Sequence, residues 1–276
     1  MDSGTGNVPG EVGISMGIVV LIGVTFYISQ TVMKVSNTLQ SRYLEVLPYT
    51  LTSEDKKLVI QQDISKDTNA KPILLSENER TGIEFAYSFY LYVLEKTFER
   101  GTKTLKSVFY KGYDDKPWPL LAPGVFMLGN TNTMRIIFNS YDNAYNYIDI
   151  ENIPVKKYVH VVLNFKKLAL EVYINGRLAK KLNFNDTLPY FNYGNLVIFN
   201  PKQTSVQIQN GERIEFDGSI VGRVSNIIYT RYALSFGEIQ TFLNKGASKQ
   251  MRTTEPEKPP YLANSWWTDQ SSYKSA

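Results

Sequence analysis

Between Val12 and Met33 the chain runs 22 residues without a charged side chain, V-G-I-S-M-G-I-V-V-L-I-G-V-T-F-Y-I-S-Q-T-V-M. As an α-helix this run measures about 33 Å at roughly 1.5 Å per residue, enough to cross a hydrocarbon core of about 30 Å. Gly13, Ser15, Gly17 and Gly23 would weaken a soluble helix, but small residues are common where membrane helices approach one another closely. A secretory signal peptide needs a basic leading region, whereas residues 1–11 carry only Asp2 and Glu11 as charges. The expectation is a single transmembrane helix over 12–33 behind a short N-terminal tail, 1–11. Lys34 and Arg42 lie just beyond the run, so the positive-inside bias places residues 34–276 on the cytosolic face. The glycosylation triplet Asn185-Asp186-Thr187 points the other way, but such triplets arise often by chance.

Beyond Met33 the chain reads as one β domain. Residues 34–80 are polar and mixed in charge, with Pro48 and Pro72 as breakers, which suggests a stalk and lead-in. From Glu84, Phe85, Tyr87, Phe89, Leu91 and Val93 alternate with a second set of side chains at period two, the signature of a strand. Ser107–Tyr110, Gly124–Leu128, Met134–Phe138, Tyr158–Phe165 and Leu196–Phe199 continue the pattern, separated by Gly, Asn, Asp and Pro. Leu168–Ile174 and Leu178–Phe184 flank Asn175-Gly176, the pair that most readily takes the positive φ angles of a tight hairpin. One helix is expected late: Ser235 and Glu238 form a capping box, Ile239, Phe242 and Leu243 an apolar face, and Gly246 a stop. Many short strands with one small helix give a mainly β sandwich.

Composition removes several chemistries. The 276 residues include no Cys, which excludes disulfide scaffolds, thiolate metal sites and Cys nucleophiles. The single His, His160, rules out a His-cluster metal site, and in Y-V-H-V-V-L it shares a strand face with Tyr158 and Val162 as a packed, hydrogen-bonded residue. A net charge of +4 with no basic stripe gives no case for nucleic acid, and Lys156-Lys157, Lys166-Lys167 and Lys180-Lys181 read as solvated lysines guarding sheet edges. No cofactor is implied.

The segments E-F-A-Y-S-F-Y-L-Y-V (84–93), K-S-V-F-Y-K-G (106–112), P-G-V-F-M-L (123–128), I-E-N-I-P-V-K-K-Y-V-H-V-V-L (150–163) and L-E-V-Y-I-N-G-R-L (170–178) resemble successive strands of the laminin-G-like, or concanavalin A-like, jelly roll. F-D-G-S-I-V-G-R-V-S-N-I-I-Y-T-R-Y-A-L-S-F-G-E-I (216–239) is similar to that fold's closing strand and helix. Tyr158 stands where the family often has Trp. The resemblance implies a jelly-roll sandwich over 81–246 and an extended tail over 247–276. The tail's P-P-Y-L-A-N-S-W-W (259–267), behind a jelly roll with an N-terminal membrane helix, resembles the membrane-anchored versions of large icosahedral double-stranded DNA viruses, including algal ones. That likeness implies a minor capsid protein at the interface of the virion's internal membrane and its shell, with the bilayer and other major and minor capsid proteins as partners. Tyr261, Trp266 and Trp267 are the candidate docking residues, because so much aromatic surface is rarely left in water.

Concanavalin A-like folds also host glycosidases and lectins. One family of retaining glucanases carries E-x-D-x-E; here Tyr147-Ile148-Asp149-Ile150-Glu151 has Tyr in place of the nucleophile, while retaining hydrolysis needs two carboxyl groups about 5–5.5 Å apart. Asp149 and Glu151 are therefore read as exposed polar positions on a strand, and no catalytic or metal-binding residue is assigned. The loop Asn139–Asn146 combines oxygen ligands with tyrosines, the composition of a sugar or calcium loop and equally of an ordinary turn. The leading expectation is a non-enzymatic virion protein linking membrane to capsid; a membrane-displayed carbohydrate-binding module is the alternative.

Overall fold

The computed structural model describes residues 17–31, 43–67, 69–76, 83–99, 103–184, 188–208 and 211–252. Residues 17–31 form helix α1, whose side chains are all exposed. Among the described residues fourteen strands come after it: β1 (Tyr43–Thr52), β2 (Leu58–Ile60), β3 (Phe85–Val93), β4 (Leu105–Gly112), β5 (Gly124–Leu128), β6 (Met134–Phe138), β7 (Asn146–Ile150), β8 (Tyr158–Lys166), β9 (Ala169–Ile174), β10 (Arg177–Asn183), β11 (Asn195–Ile198), β12 (Gln203–Gln207), β13 (Arg213–Ser219) and β14 (Gly222–Thr230). Helix α2 (Phe236–Lys245) closes the order.

The strands make a two-sheet sandwich. One sheet runs β1-β14-β3-β8-β9-β10; the other runs β12-β13-β4-β5-β6-β7, with β11 pairing on β4 and carrying β2. The alternation in β3 sends Phe85, Tyr87, Phe89, Leu91 and Val93 into the space between sheets, where they meet Phe109, Val125, Met127, Ile136 and Phe138. Phe89 and Phe109 meet edge to face at 4.9 Å across that space, a favoured aromatic geometry. Both outer faces are partly covered as well. Helix α2 buries Ile239 against Ala86, Val162 and Leu234. The Tyr90 hydroxyl holds the helix end by donating to the Leu243 carbonyl at 2.6 Å and accepting from the Gly246 N–H at 3.1 Å. On the other sheet, Leu121, Ile208, Ile214 and Phe216 fold over Tyr110, Phe126 and Ile137.

The hairpin and the cap form as the sequence indicates. Asn175 and Gly176 take φ of 50° and 75° between β9 and β10. The Ser235 side chain accepts from the Glu238 N–H, and the Glu238 carboxylate accepts from the Ser235 N–H in return.

The sandwich begins earlier than the expected boundary at 81. Residues 43–52 and 58–60, within the expected stalk, are strands of the two sheets, and Val46, Leu47 and Leu51 are buried. Pro48 does not break β1 because the register shifts between Leu47 and Thr50, and Pro48 faces solvent there; proline is tolerated at such irregularities in edge strands. The sandwich also extends past 246. Thr50 N–H donates to the Gln250 carbonyl at 2.8 Å and Arg252 N–H to the Thr50 carbonyl at 3.0 Å, so residues up to 252 lie along β1.

The two ends of the sandwich differ in what they carry. Tyr43 pairs with Thr230 at the near end, where the chain arrives from α1; Thr52, Val93 and Tyr158 lie at the far end. The described part of α1 spans about 22 Å, and among the described residues no helix is long and apolar enough to cross a membrane. Val12, Met33, Tyr261, Trp266 and Trp267 lie outside the described residues.

Candidate functional site

The near end opens into a cleft of about 940 Å³ built from four separate segments. These are the chain after β2 (Gln61 to Leu75), the loop after β4 (Tyr113 to Lys116), the approach to β11 (Tyr193 to Asn195) and Arg231 just past β14. Asn195 ties three of them together. Its Nδ2 donates to Gln61 Oε1 at 2.9 Å and to Asp114 Oδ1 at 2.8 Å, and its Oδ1 accepts from the Gln62 N–H at 3.0 Å. Arg231 Nε donates to the Leu75 carbonyl at 2.7 Å. Gln62 Oε1 accepts from the Ile73 N–H at 2.7 Å, and Lys57 Nζ donates to the Asp114 carbonyl at 3.1 Å. The polar side chains are therefore held in fixed orientations before any ligand arrives.

A buried lock lies beneath the wall that carries Tyr193. Lys111 is fully buried, and its Nζ donates to the main-chain carbonyl and, at 3.3 Å, to the side-chain Oδ1 of Asn192. Asn192 returns a bond from Nδ2 to the Lys111 carbonyl at 3.0 Å and accepts the Gly194 N–H on Oδ1 at 2.9 Å. The ammonium sits 4.6 Å from the centre of the Phe191 ring, which is buried and packs edge-on to Phe85 at 5.9 Å. Burial pulls the Lys111 pKa down to about 7. Gly194 presses so close to β4 that a Cβ there would fall 2.4 Å from the Gly112 carbonyl oxygen. With Phe191 and Asn192 fixed inside, Tyr193 is held outward, 72% exposed, and Tyr113 stands half-exposed in the same cleft.

The Asn139–Asn146 loop has a different character. Asn139 Oδ1 accepts from the Leu121 N–H, and its Nδ2 donates to the carbonyls of Pro119 and Ala144 at 2.9 and 2.6 Å. Asn143 Oδ1 accepts from the Tyr145 N–H at 2.9 Å, and Asn146 Nδ2 donates to the Asn143 carbonyl at 2.8 Å. These amides build the turn, and among the described residues no group of three His, Cys, Asp or Glu could hold a metal ion. Tyr141 remains outside, meeting Tyr190 edge-on at 5.4 Å.

The glucanase-like stretch is occupied by an ion pair, and this corrects the expectation of a plain exposed Asp149. Arg135 lies opposite Asp149 in the β6–β7 register and binds it through Nε at 2.7 Å and NH2 at 2.6 Å. Tyr147 takes the guanidinium over its ring at 4.2 Å, and Arg135 NH1 donates to the Tyr145 hydroxyl at 3.1 Å. Glu151 is exposed. His160 is buried beneath α2 with Nε2 2.8 Å from Ser88 Oγ, and burial brings its pKa down to about 4.

The loop composition drew attention to 139–146, yet the cleft residues Tyr113, Tyr193 and Asn195 carry no motif. Their signal in the sequence is faint: two glycines, Gly112 and Gly194, each beside an aromatic in a turn-rich stretch.

No family model matches the chain, and no curated protein matches it in sequence. Among solved structures, the receptor-binding domain of botulinum neurotoxin D is similar over 71% of this chain and 43% of its own, at 11% identity and TM-score 0.49. The binding domain of Paraclostridial Mosquitocidal Protein 1 is similar over 71% and 42%, at 12% identity and TM-score 0.45. A Trypanosoma rangeli sialidase in complex with 2,3-difluorosialic acid is similar over 59% and 23%, at 19% identity and TM-score 0.41. The chain spans less than half the length of each of these.

Proposed function

We propose that the protein is a membrane-anchored recognition module that binds carbohydrate in the near-end cleft. The observation that carries this reading is outward-held Tyr193 and half-exposed Tyr113 beside the Gln61 amide and the Asp114 carboxylate, both of which Asn195 holds in place. A sugar ring offers an apolar face that stacks on an aromatic side chain and a girdle of hydroxyls that suits paired acceptors and donors. The membrane part of the reading is supported by α1, where Ile18, Leu21, Ile22, Phe26 and Ile28 are each more than half exposed with no core to cover them; a helix apolar all round suits a bilayer. The full chain in detergent, applied to a glycan array, is expected to retain a subset of oligosaccharides. Tyr193→Ala should weaken the best ligand at least tenfold with an unchanged thermal melt. Failure to retain any glycan, or full binding by Tyr193→Ala, would end this reading.

A membrane-to-capsid linker is the second reading, favoured by the polarity of the sandwich. The chain enters from α1 at the near end, while the bridge at Met251 runs parallel to β1, so residues 250–252 head toward the far end. In that reading the domain stands on the cytosolic face of a virion membrane and the tail reaches neighbouring shell proteins. Cross-linking from Trp266 and Trp267 in purified particles separates the two.

A further inference from the structure

We propose that the near end of the sandwich docks on the surface of the bilayer that its own N-terminal helix holds, so that the cleft opens onto the lipid headgroup layer. This rests on the anchor reading of α1 and adds to it an orientation for the folded domain.

Three observations carry it. First, most of the large apolar and aromatic side chains exposed on the sandwich gather at this end, whereas Tyr158, Leu178, Phe236 and Met251 are spread over the rest of its surface. Ile64 is 65% exposed and Leu74 54% exposed, both beside the cleft; Leu168 tops the β8–β9 turn; Tyr113, Tyr141 and Tyr193 stand on neighbouring loops. Scattered single apolar residues on a surface need no explanation, but a group at one end of a domain does. Second, the mixture is that of a membrane interface: aliphatic tips, tyrosines with one apolar and one polar end, and long cations, here Lys66, Lys116 and Arg231, at the cleft wall. Asp63, Asp114 and Asp115 share that wall, so the charge is balanced and the apolar tips, rather than an anionic headgroup, drive the contact. Third, the connection is short. Only residues 32–42 separate the described end of α1 from Tyr43, and eleven residues reach at most about 40 Å. Because Tyr43 pairs with Thr230, next to Arg231 of the cleft, the tether delivers this end to the membrane first. A short tether also raises the effective concentration of the surface facing the bilayer, so weak individual contacts suffice.

A glycan that reaches the cleft in the anchored protein then belongs to a lipid of that bilayer, not to a soluble chain. The far end faces away, with Lys156 and Glu95 paired at 2.9 Å in water.

The absence of native Cys makes the test direct. Single variants Ile64→Cys, Leu74→Cys and Lys156→Cys, made in the full chain, are labelled with a polarity-sensitive dye and reconstituted into phosphatidylcholine vesicles containing brominated lipid. Carbonate extraction is run on the same vesicles. Dye at 64 and 74 is expected to shift to the blue and lose at least a third of its emission to shallow bromine, unchanged in half-molar salt. Dye at 156 should behave as in water. If the chain resists carbonate but the dyes at 64 and 74 remain water-like, docking is overturned and the anchor stands. If the chain washes off, the anchor reading fails and docking fails with it. As an internal check, Ile64→Asp with Leu74→Asp should abolish the blue shift of a dye at Tyr193→Cys while carbonate resistance is kept; an undiminished shift would also overturn docking.

Discussion

The two ends of the sandwich are made from the same strands yet hold their surfaces by opposite means. At the near end the exposed groups are fixed from beneath: Tyr193 is set by buried Phe191 and by the Lys111–Asn192 lock, and Asn195 joins three segments of the cleft. Toward the far end Tyr158 and Leu178 stand partly exposed with no such buried polar lock beneath them among the described residues, and the charged Lys156 and Glu95 meet in water. A surface supported by buried polar groups costs stability, because desolvated donors and a buried amine must be satisfied locally. A surface of solvated ion pairs costs and contributes almost nothing. The contrast is between a surface fixed from beneath and one left to solvent, and it can be broken by measurement.

The largest expected effect comes from removing the anchor beneath Tyr193. Phe191→Ala opens a cavity against Phe85 and Tyr229 and should cost about 3–5 kcal/mol, the usual range for a buried Phe. For a sandwich of this size that lowers Tm by roughly 10 °C. It should also remove glycan binding, since Tyr193 loses its support. A normal melt with this variant would mean the near-end wall is not held from within.

Next in size is the pH dependence of the lock. The folded Lys111 pKa, about 7, lies below its ordinary value of 10.5, so between these values the unfolded chain binds more protons than the folded one. Stability from this group is therefore fully present above pH 10.5, falls as pH drops through the window, and reaches its minimum below 7. Lys111→Met should remove that slope. The stability of the variant minus that of the native chain should therefore move in the variant's favour by a few kcal/mol from pH 10 to pH 6, whatever pH-independent cost the unpartnered Asn192 acceptors add. Denaturant melts of both proteins at the two pH values supply the comparison, and taking the difference cancels the tyrosines that titrate alongside. A constant difference across pH would show that Lys111 is not a buried, depressed lysine.

Much of the fold was legible because its signals are local. The Asn175-Gly176 turn and the Ser235–Glu238 cap depend on residues a few positions apart, and β5 and β6 run between the boundaries expected from alternation. β1 was not legible, since Pro48 reads as a breaker until the bulge that accommodates it is seen. The cleft was less legible still. Gln61, Tyr113, Asn195 and Arg231 become neighbours only when both sheets close, and no spacing in the chain records that. The loop at 139–146 misled in the opposite direction: its amides have the chemistry of a binding loop, but the loop's own carbonyls and N–H groups consume them. Arg135 and Asp149 fall between these cases, because recognising the β6–β7 pairing would have placed them face to face.

The smallest expected effect is at the far end, where the contrast is most exposed to refutation. Lys156 Nζ and Glu95 Oε1 lie 2.9 Å apart, yet both side chains are more than half exposed. Coulomb attraction is weak in water, and two long side chains lose rotamer freedom in meeting, so such pairs contribute about 0–1 kcal/mol. Replacing both by Ala should move stability by no more than about 0.5 kcal/mol and leave glycan retention and the vesicle signals at 64 and 74 where they were. The backbone gives one reason to measure rather than assume: Lys156 holds a φ of 59° and donates its N–H to the Val93 carbonyl at 2.8 Å. A side chain there is strained whether it is Lys or Ala, so Lys156→Ala should leave that strain in place, whereas Lys156→Gly should relieve it and stabilise by roughly 1 kcal/mol. If Ala at 156 instead costs about 2 kcal/mol, well beyond the range of an exposed pair, or weakens glycan binding, the far end is supporting the near one, and the division between a fixed presenting end and a passive solvated end does not hold.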